Sequence, residues 1–263
     1  MNPIVAAGLL ICIVGLLIGV LLGAASVIFK IDVNPKEAAV RELLPGNNCG
    51  GCGFAGCDAC AKAIADGKAP VAACPVGGAP VAKQIAGVMG VEAVLAEKKV
   101  AFVKCAGTCD VAHQKDLYFG ERDCSKATVV PGMSDKACSF GCMGFGSCTK
   151  VCDFDAIHVI NGVAVVDKEK CAACGKCLSV CPRHLIELVP YAAKETVSCA
   201  SHAKGKDVRA VCDTGCIGCM LCTKQCESGA ITVTDNLAHI DYEKCTGCGK
   251  CAVKCPAHVI RMH

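Results

Sequence analysis

The sequence predicts an α+β protein in three parts: an N-terminal transmembrane helix, a small helical four-cysteine domain and a tandem pair of cysteine-rich modules. Three observations lead to this prediction. The chain begins with a long uncharged run, it contains 27 cysteines and no tryptophan in 263 residues, and one cysteine pattern occurs twice. Because few large rings are available to fill a core, we expect another kind of cross-link to hold the chain together.

The cysteine content indicates metal coordination rather than disulfides. Disulfide frameworks are typical of short secreted chains with an even number of cysteines, whereas this chain is long and its number is odd. The formal net charge of +3, without any Lys/Arg block interleaved with aromatic residues, excludes a strongly basic nucleic-acid-binding protein. No dinucleotide fingerprint, phosphate loop or catalytic histidine motif occurs. We therefore expect no catalytic residues and no nucleic-acid partner.

The N-terminal run predicts a membrane anchor. From Ile4 to Phe29 no residue is charged, and as a helix this run would extend roughly 39 Å, against about 30 Å of hydrocarbon core. A cleaved signal peptide is the alternative, but its apolar region typically has only about 7–15 residues and follows basic residues. Lys30, Lys36 and Arg41 follow the run and no basic residue precedes it. We predict a single-pass protein of the cell (inner) membrane with a cytoplasmic C-terminal part, where free thiolates persist.

The next segment predicts a small helical domain that holds one cluster. Asn34 as N-cap and Pro35 at the first position begin a helix that should end near Leu44. The pattern C-G-G-C-G-F-A-G-C follows, with glycines that let the backbone fold tightly and direct its N–H groups at sulfur. These spacings predict a [4Fe-4S] site; zinc is the alternative on this segment alone. The predicted ligands are Cys49, Cys52, Cys57 and Cys74.

Two runs in the C-terminal half identify the metal. Residues 171–182 and 245–256 both follow C-x2-C-x2-C-x3-C-P, the pattern of bacterial ferredoxins. Three closely spaced cysteines surround one cluster, and the fourth reaches the neighbouring cluster. Two copies with the trailing proline favour iron-sulfur clusters over zinc or disulfides.

The two runs belong to an internal repeat with an offset of 74 residues, as from Cys171 to Cys245. Each copy is a complete two-cluster ferredoxin module, and each has a hairpin pattern between its cysteine runs, with Asn161-Gly162 as the turn of the first. The predicted strands are 157–160 and 163–166 in the first module and 231–234 and 237–240 in the second.

The crossed ferredoxin pattern assigns the ligands of the second module directly. One set is Cys216, Cys219, Cys222 and Cys255, and the other is Cys226, Cys245, Cys248 and Cys251.

The first module departs from this pattern at Phe145, which stands where the second module has Cys219. We assign Cys138, four residues before Cys142, as the substitute; a three-iron cluster or an exogenous ligand is the alternative. Cys212 precedes Cys216 at the same offset, although its module lacks no ligand. The predicted sets are Cys138, Cys142, Cys148 and Cys181, and Cys152, Cys171, Cys174 and Cys177.

The remaining cysteines have two interpretations. Cys12 and Cys60 are expected to be packed, apolar side chains. A sixth cluster would use Cys105, Cys109 and Cys124 with a fourth partner, and the alternative is buried structural thiols at the ends of β-like runs. The candidate fourth partners are Cys138, Cys199 and Cys212. We therefore expect five [4Fe-4S] clusters, or six if this site is real.

The domain boundaries follow from these patterns. They are 1–30 for the transmembrane anchor, 31–99 for the four-cysteine domain, 100–137 for a cysteine-containing connector, 138–190 for the first ferredoxin module and 191–263 for the second.

The chain resembles the B subunits of the Rnf complexes, the ion-translocating electron-transport complexes of bacteria. The resemblance rests on the anchor, the C-G-G-C-G-x-x-G-C motif with its distant Cys-Pro, and the ferredoxin modules, and it covers the whole chain. It implies an electron-transfer component of a Na+- or H+-translocating ferredoxin:NAD+ oxidoreductase, with no substrate chemistry on this chain alone. The implied donor is reduced ferredoxin, and the implied partners are membrane subunits and flavin/NAD-binding subunits.

The resemblance also implies a direction of electron transfer along the chain. The Cys49 set would lie nearest the membrane, and the tandem modules would receive electrons from ferredoxin. The simplest members of the family have one ferredoxin module, so the path through this longer chain is not implied. The alternative function is a stand-alone membrane-bound polyferredoxin that serves another reductase.

Overall fold

The computed structural model describes residues 3–28, 34–94, 97–130 and 132–262. The helices are α1 Pro3–Ile28, α2 Pro35–Leu43, α3 Cys57–Ala65, α4 Gly78–Met89, α5 Cys124–Ala127, α6 Ser147–Lys150, α7 Lys176–Val180, α8 Gly205–Val211, α9 Leu221–Gln225 and α10 Lys250–Val253. The strands are β1 Lys99–Val103, β2 Ile157–Ile160, β3 Val163–Val166, β4 Ile186–Pro190, β5 Glu195–Val197, β6 Ile231–Thr234, β7 Leu237–Ile240 and β8 Ile260–Met262.

Helix α1 coincides with the uncharged N-terminal run and has 26 residues. Its side chains are described without a gap from Ile11 to Ala25, and Leu16 and Leu21 among them are 69% and 70% exposed. No helix in the described part of the chain is long and apolar enough to cross a membrane. Lys30, which contributes to the predicted orientation, lies outside the described residues.

Helices α2, α3 and α4 form the small N-terminal domain. The Asn34 side chain accepts the backbone N–H of Lys36 at 3.0 Å, which confirms the predicted N-cap. Val40, Ile64 and Ile85 are at most 1% exposed and lie in one apolar cluster between the three helices. This domain therefore has an aliphatic core of its own.

The two ferredoxin modules share one arrangement of strands. Both predicted hairpins are confirmed, as the antiparallel pairs β2–β3 and β6–β7. In addition, β1 pairs with β4 and β5 pairs with β8, each antiparallel. Ile186 pairs with Val103, and Ile260 pairs with Val197. The two pairings are equivalent because Ile186 and Ile260 are one repeat apart. Strand β1 precedes residue 138 but belongs to the first module, a pairing that no local pattern reveals.

The first module carries an inserted segment, residues 106–137, where the second has only 200–211. The insert packs on Phe145, whose ring stacks on Tyr118 with centroids 5.0 Å apart. Phe145 is 8% exposed and lies in one apolar cluster with Ala127 and Met143. The ring at the position of the missing cysteine therefore holds the insert against the module.

Candidate iron-sulfur sites

Four cavities of the C-terminal part have the same composition. Each is lined by four cysteines among mostly small and aliphatic residues. We name them cages A, B, C and D. Cage A has Cys152, Cys171, Cys174 and Cys177; cage B has Cys124, Cys142, Cys148 and Cys181; cage C has Cys105, Cys138, Cys199 and Cys212; cage D has Cys216, Cys219, Cys222 and Cys255.

Cages A and D bring together two sets that the crossed ferredoxin pattern predicts. In cage A, burial raises the pKa of the Cys177 thiol to about 11, and the thiols of Cys171, Cys174 and Cys152 raise it further. In cage D, burial likewise raises the pKa of Cys222 to about 11, with Cys216 next in effect. At neutral pH such thiols are protonated unless a cation binds them, as metal coordination does.

Cage B departs from the prediction. Burial raises the pKa of the Cys148 thiol to about 12, and the neighbouring thiols that add to it include Cys142, Cys124 and Cys181. Cys124 lines this cavity and Cys138 does not. The structure thus puts Cys124, from the insert, where the sequence analysis put Cys138.

The insert explains how Cys124 reaches cage B. Asp123 caps α5 by accepting the Ser125 N–H at 3.0 Å, and the Cys124 N–H donates to Ser147 Oγ at 2.8 Å. In the sequence analysis Cys124 is a candidate for a sixth cluster and not for this set, because it lies outside any ferredoxin spacing. The repeat itself indicated that Cys138 need not be the substitute ligand. Cys138 matches Cys212, and the module of Cys212 lacks no ligand.

Cage C holds three of the cysteines that remained after the predicted assignments, Cys105, Cys199 and Cys212, together with Cys138. Of the three core candidates for a sixth cluster, Cys105 lines cage C, whereas Cys124 lines cage B. Cys109 is exposed, and its N–H donates to the Asn161 carbonyl at 3.0 Å beside the hairpin turn. Cys109 lines none of the four cages.

The structure brings together part of the other predicted set of the second module, which is Cys226, Cys245, Cys248 and Cys251. Burial raises the pKa of the Cys245 thiol, and Cys226 is one of the groups that add to this shift. Cys245 also adds to the raised pKa of Cys251, which burial brings to about 11. Cys248 is exposed and lies in the turn just before α10.

The N-terminal set lies at the contact between its domain and the first module. Cys52, Cys57 and Cys74 pack in the apolar cluster of that domain together with Cys60, which is 1% exposed. Cys49 lies near the first module: burial raises the pKa of the Cys174 thiol, and the Cys49 thiol adds to this shift.

The loop that carries Cys49 and Cys52 lies against the loop of Cys174. A Cβ on Gly51 would lie 2.6 Å from the Cys174 carbonyl oxygen. A glycine is therefore required at position 51 for the two cysteine loops to approach this closely.

Backbone N–H groups point at ligand sulfurs throughout these sites. The hydrogen bonds are Ala156 N–H to Cys152 Sγ at 3.3 Å, and Gly77 to Cys74, Ala101 to Cys171 and Leu185 to Cys181, all at 3.4 Å. Such donors stabilise anionic thiolates and are a main control of cluster reduction potential. Among the described residues, no group of three or more His, Cys, Asp or Glu could hold a single metal ion. The donor set is thiolate only, which suits iron-sulfur clusters.

Three family models match the chain, and all three describe iron-sulfur binding. Residues 44–76 match an Fe-S cluster model, 138–192 match the LdpA Fe-S cluster-binding domain, and 215–259 match a 4Fe-4S dicluster domain. The matched segments contain the N-terminal set and most of both modules. The cofactors of this chain are therefore [4Fe-4S] clusters, as predicted.

Curated relatives match nearly the whole chain. The B subunit of the Na+-translocating ferredoxin:NAD+ oxidoreductase complex of Acetobacterium woodii is 46% identical over 99% of this chain and 78% of its own length. The chain belongs to the family of B subunits of ion-translocating oxidoreductase complexes. A further member, from Methanosarcina acetivorans, is 47% identical over 94% of both chains. Another, from Clostridium ljungdahlii, is 40% identical over 99% of this chain and 93% of its own length. The resemblance drawn from the motifs is confirmed, and the chain is an iron-sulfur electron-transfer component of such a complex.

Proposed function

We propose that this chain accepts electrons from reduced ferredoxin and passes them, one at a time, to the membrane subunits of an ion-translocating ferredoxin:NAD+ oxidoreductase. The observation that carries the proposal is the contact between successive cysteine sites, from the second module to the N-terminal domain. The relatives from A. woodii and C. ljungdahlii belong to ferredoxin:NAD+ oxidoreductase complexes, whose name gives ferredoxin as the donor class and NAD+ as the acceptor class. One is named for Na+ and the other for protons, so the names support both ions equally.

The ligand sets of this proposal are five. They comprise cages A, B and D, the N-terminal set Cys49, Cys52, Cys57 and Cys74, and the set Cys226, Cys245, Cys248 and Cys251. Each would hold one [4Fe-4S] cluster, whose chemistry is the uptake and release of a single electron. The chain contributes the thiolates, the N–H donors to sulfur and an apolar surrounding that limits water access.

The proposed exit lies at the Cys49 set. Gly51 and Cys174 are in van der Waals contact, so the N-terminal domain follows cage A without an intervening layer. This domain begins at α2, only a few residues after α1, which supports the view that it lies nearest the membrane. The second module is then the receiving end for ferredoxin.

The proposed anchor is α1, crossing the inner membrane once with the rest of the chain in the cytoplasm. Its described apolar side chains are exposed, with Leu9, Ile13 and Leu17 each 54–60% accessible. Lipid is the environment in which such a surface would be stable, because exposing it to water is unfavourable. The basic residues Lys36 and Arg41 after the helix support the cytoplasmic side.

The test uses the full chain, purified without oxygen in detergent. Iron and acid-labile sulfide are measured, and the clusters are then titrated with reduced ferredoxin while EPR spectra are recorded. We expect stoichiometric sulfide and iron, and reduction of the clusters by ferredoxin alone. Zinc in place of iron, or clusters that dithionite reduces but ferredoxin does not, would contradict the proposal.

A second measurement separates the proposal from a stand-alone polyferredoxin. The chain is affinity-purified from its native membranes in mild detergent, and its partners are identified by mass spectrometry. Several polytopic subunits and a flavin- or NAD-binding subunit should accompany it. Recovery of the chain alone, still able to take electrons from ferredoxin, would favour the polyferredoxin.

A further inference from the structure

Cage C lies between the two modules, and each module supplies two of its thiols. Cys105 and Cys138 come from the first module, and Cys199 and Cys212 come from the second. Cys138 and Cys212 are one repeat apart in the sequence. The other two are equivalent in structure, because Cys105 follows the end of β1 by two residues and Cys199 follows the end of β5 by two. The cage is thus assembled from two matching halves.

The sulfurs of cage C lie close together around two glycines, Gly107 and Gly141. A Cβ on Gly107 would lie 3.6 Å from the sulfurs of both Cys105 and Cys212, and a Cβ on Gly141 would lie 3.4 Å from Cys138 Sγ and 3.5 Å from Cys105 Sγ. The sulfurs of each pair are therefore at most about twice those distances apart. The cavity that they line has the same four-cysteine composition as cages A, B and D.

Hydrogen bonds to sulfur join cage C to one cage of each module. The Cys142 N–H donates to Cys105 Sγ at 3.2 Å, and the Cys216 N–H donates to Cys199 Sγ at 3.4 Å. Cys142 is in cage B and Cys216 is in cage D, at equivalent positions of the repeat. Both are backbone N–H groups that donate to sulfur at distances similar to those at the other sites.

Two half-buried cations lie beside cage C without a carboxylate. Lys136 Nζ donates to the carbonyls of Gly107 at 2.7 Å and Cys142 at 3.2 Å, and Arg183 Nη1 donates to the Cys138 carbonyl at 3.2 Å. The ion pairs found among the described residues include neither side chain. Neutral thiols would leave both positive charges uncompensated, whereas a cluster bound by four thiolates carries about −2.

We propose that Cys105, Cys138, Cys199 and Cys212 bind a sixth [4Fe-4S] cluster, shared by the two modules, which relays electrons between cage D and cage B. The inference rests on the proposed electron-transfer function. Each step is a one-electron exchange: the reduced cluster of one cage is oxidised as its neighbour is reduced, and ferredoxin supplies the electron. With this relay the cages follow one another in the order D, C, B, A and then the N-terminal set.

The first test is the iron content of the anaerobically purified full chain. Six clusters require about 24 iron and 24 sulfide per chain, against about 20 for five, at four iron per cluster. A value near 24 supports the site. A value of about 20 in a preparation whose remaining clusters are reduced by ferredoxin would overturn the sixth cluster while leaving the proposed function intact, by the same stoichiometry. A value near 24 in a preparation that ferredoxin does not reduce would support the sixth cluster and contradict the proposed function, by the same stoichiometry.

The second test compares Cys105→Ser, Cys199→Ser and the double variant with Cys109→Ser. A shared cluster predicts that each single variant loses about four iron and the same EPR component, and that the double variant loses no more. Cys109→Ser should retain all iron, because its thiol lines no cage. Full iron in either single variant, or additive losses in the double variant, would refute the shared site. The wild-type iron content decides the matter if the variants do not fold.

Discussion

Phe145 shows how one residue changes the ligand set of a whole module. The second module has Cys219 at this position, whereas Phe145 is an apolar ring against which the insert packs through Tyr118. The same exchange that removes a thiolate therefore provides the surface that brings Cys124 into cage B. The lost ligand and its replacement are thus linked through one packing contact.

Cys124→Ser should damage cage B alone. We expect loss of at least one and at most about four iron atoms per chain, with a three-iron EPR signal if the other thiolates keep the cluster. EPR and iron analysis of the full chain measure this, with Cys109→Ser as the control. If Cys124→Ser keeps the cage B signal and Cys138→Ser abolishes it, the ligand is Cys138, as its position four residues before Cys142 predicts.

Arg183 is expected to raise the reduction potential of the clusters around it. Burial lowers the pKa of its guanidinium, and the thiols of Cys138, Cys142, Cys105 and Cys124 oppose that effect, so the charge lies between cages B and C. Replacing Arg183 with Met removes a positive charge that stabilises the reduced, more negative form more than the oxidised form. A potential lower by on the order of 60 mV is expected for this one-electron couple.

An EPR-monitored redox titration measures the potential of the Arg183→Met variant. Arg183→Lys, which keeps the charge, should recover most of the shift. An unchanged potential in Arg183→Met with full iron content would show that the guanidinium only braces the Cys138 loop.

At the scale of elements, the insert depends on a very small core. Its apolar contact with the module is the cluster of Phe145, Met143 and Ala127, with Tyr118 and Cys124 partly buried at the edge. Lys150 adds an ion pair to Asp123 at 3.1 Å. Hydrogen bonds from Ser125 and Lys150 hold the pKa of the Asp123 carboxyl well below its usual range. This link is therefore fully present above the usual carboxyl pKa and is lost as pH falls from there toward the depressed value.

Phe145→Ala should release the insert locally. Removing a buried Phe side chain costs about 3 kcal/mol, which corresponds to roughly a hundredfold faster opening by the relation of about 1.4 kcal/mol per tenfold change. Hydrogen exchange of the α5 amides measures this, and the amides of α9 in the second module are the internal control. Equal protection of α5 in variant and wild type would show that the cluster alone holds the insert.

The elements of the modules differ in kind from those of the N-terminal domain. The module helices have four to seven residues and the strands three to five, too short to be stable without cross-links. By contrast α2, α3 and α4 have nine, nine and twelve residues around a closed aliphatic core. We infer that clusters replace apolar packing in the modules to a greater extent than in the N-terminal domain.

Removal of iron should therefore unfold the modules first. After treatment with a chelator and oxidant, we expect exchange protection to disappear from β2, β3, β6 and β7 while part of the α2–α4 protection persists. Mass-spectrometric hydrogen exchange before and after treatment resolves the regions. Retained protection of both hairpins in the iron-free chain would show that apolar contacts suffice.

At the scale of the whole molecule, the exposed apolar surface of α1 contrasts with the covered cores of the remaining chain. Val14, Val20 and Leu22 are 47%, 63% and 66% exposed, whereas most residues that line the cysteine cages are buried or half-buried. The proposed anchor and a physically separate electron-transfer domain would account for this division.

Deletion of residues 1–30 should separate the two properties. The shortened chain is expected in the soluble fraction with the same iron per chain, whereas the full chain should stay with membranes after alkaline carbonate extraction. Immunoblotting and iron analysis measure both. Release of the full chain by carbonate would contradict the single-pass anchor, and a loss of iron on deletion would show that α1 contributes to the clusters.

The local features of this protein can be read from the order of its residues. The Asn34 cap, both hairpins and the ferredoxin runs depend on residues a few positions apart, because backbone hydrogen bonds and ligand spacing are short-range. Which of the other thiols meet is visible only in the folded chain. Cage C gathers residues from Cys105 to Cys212 through the pairings of β1 with β4 and β5 with β8, and Cys124 reaches its cage through side-chain packing. Such convergence depends on long-range pairing, which leaves no spacing in the sequence.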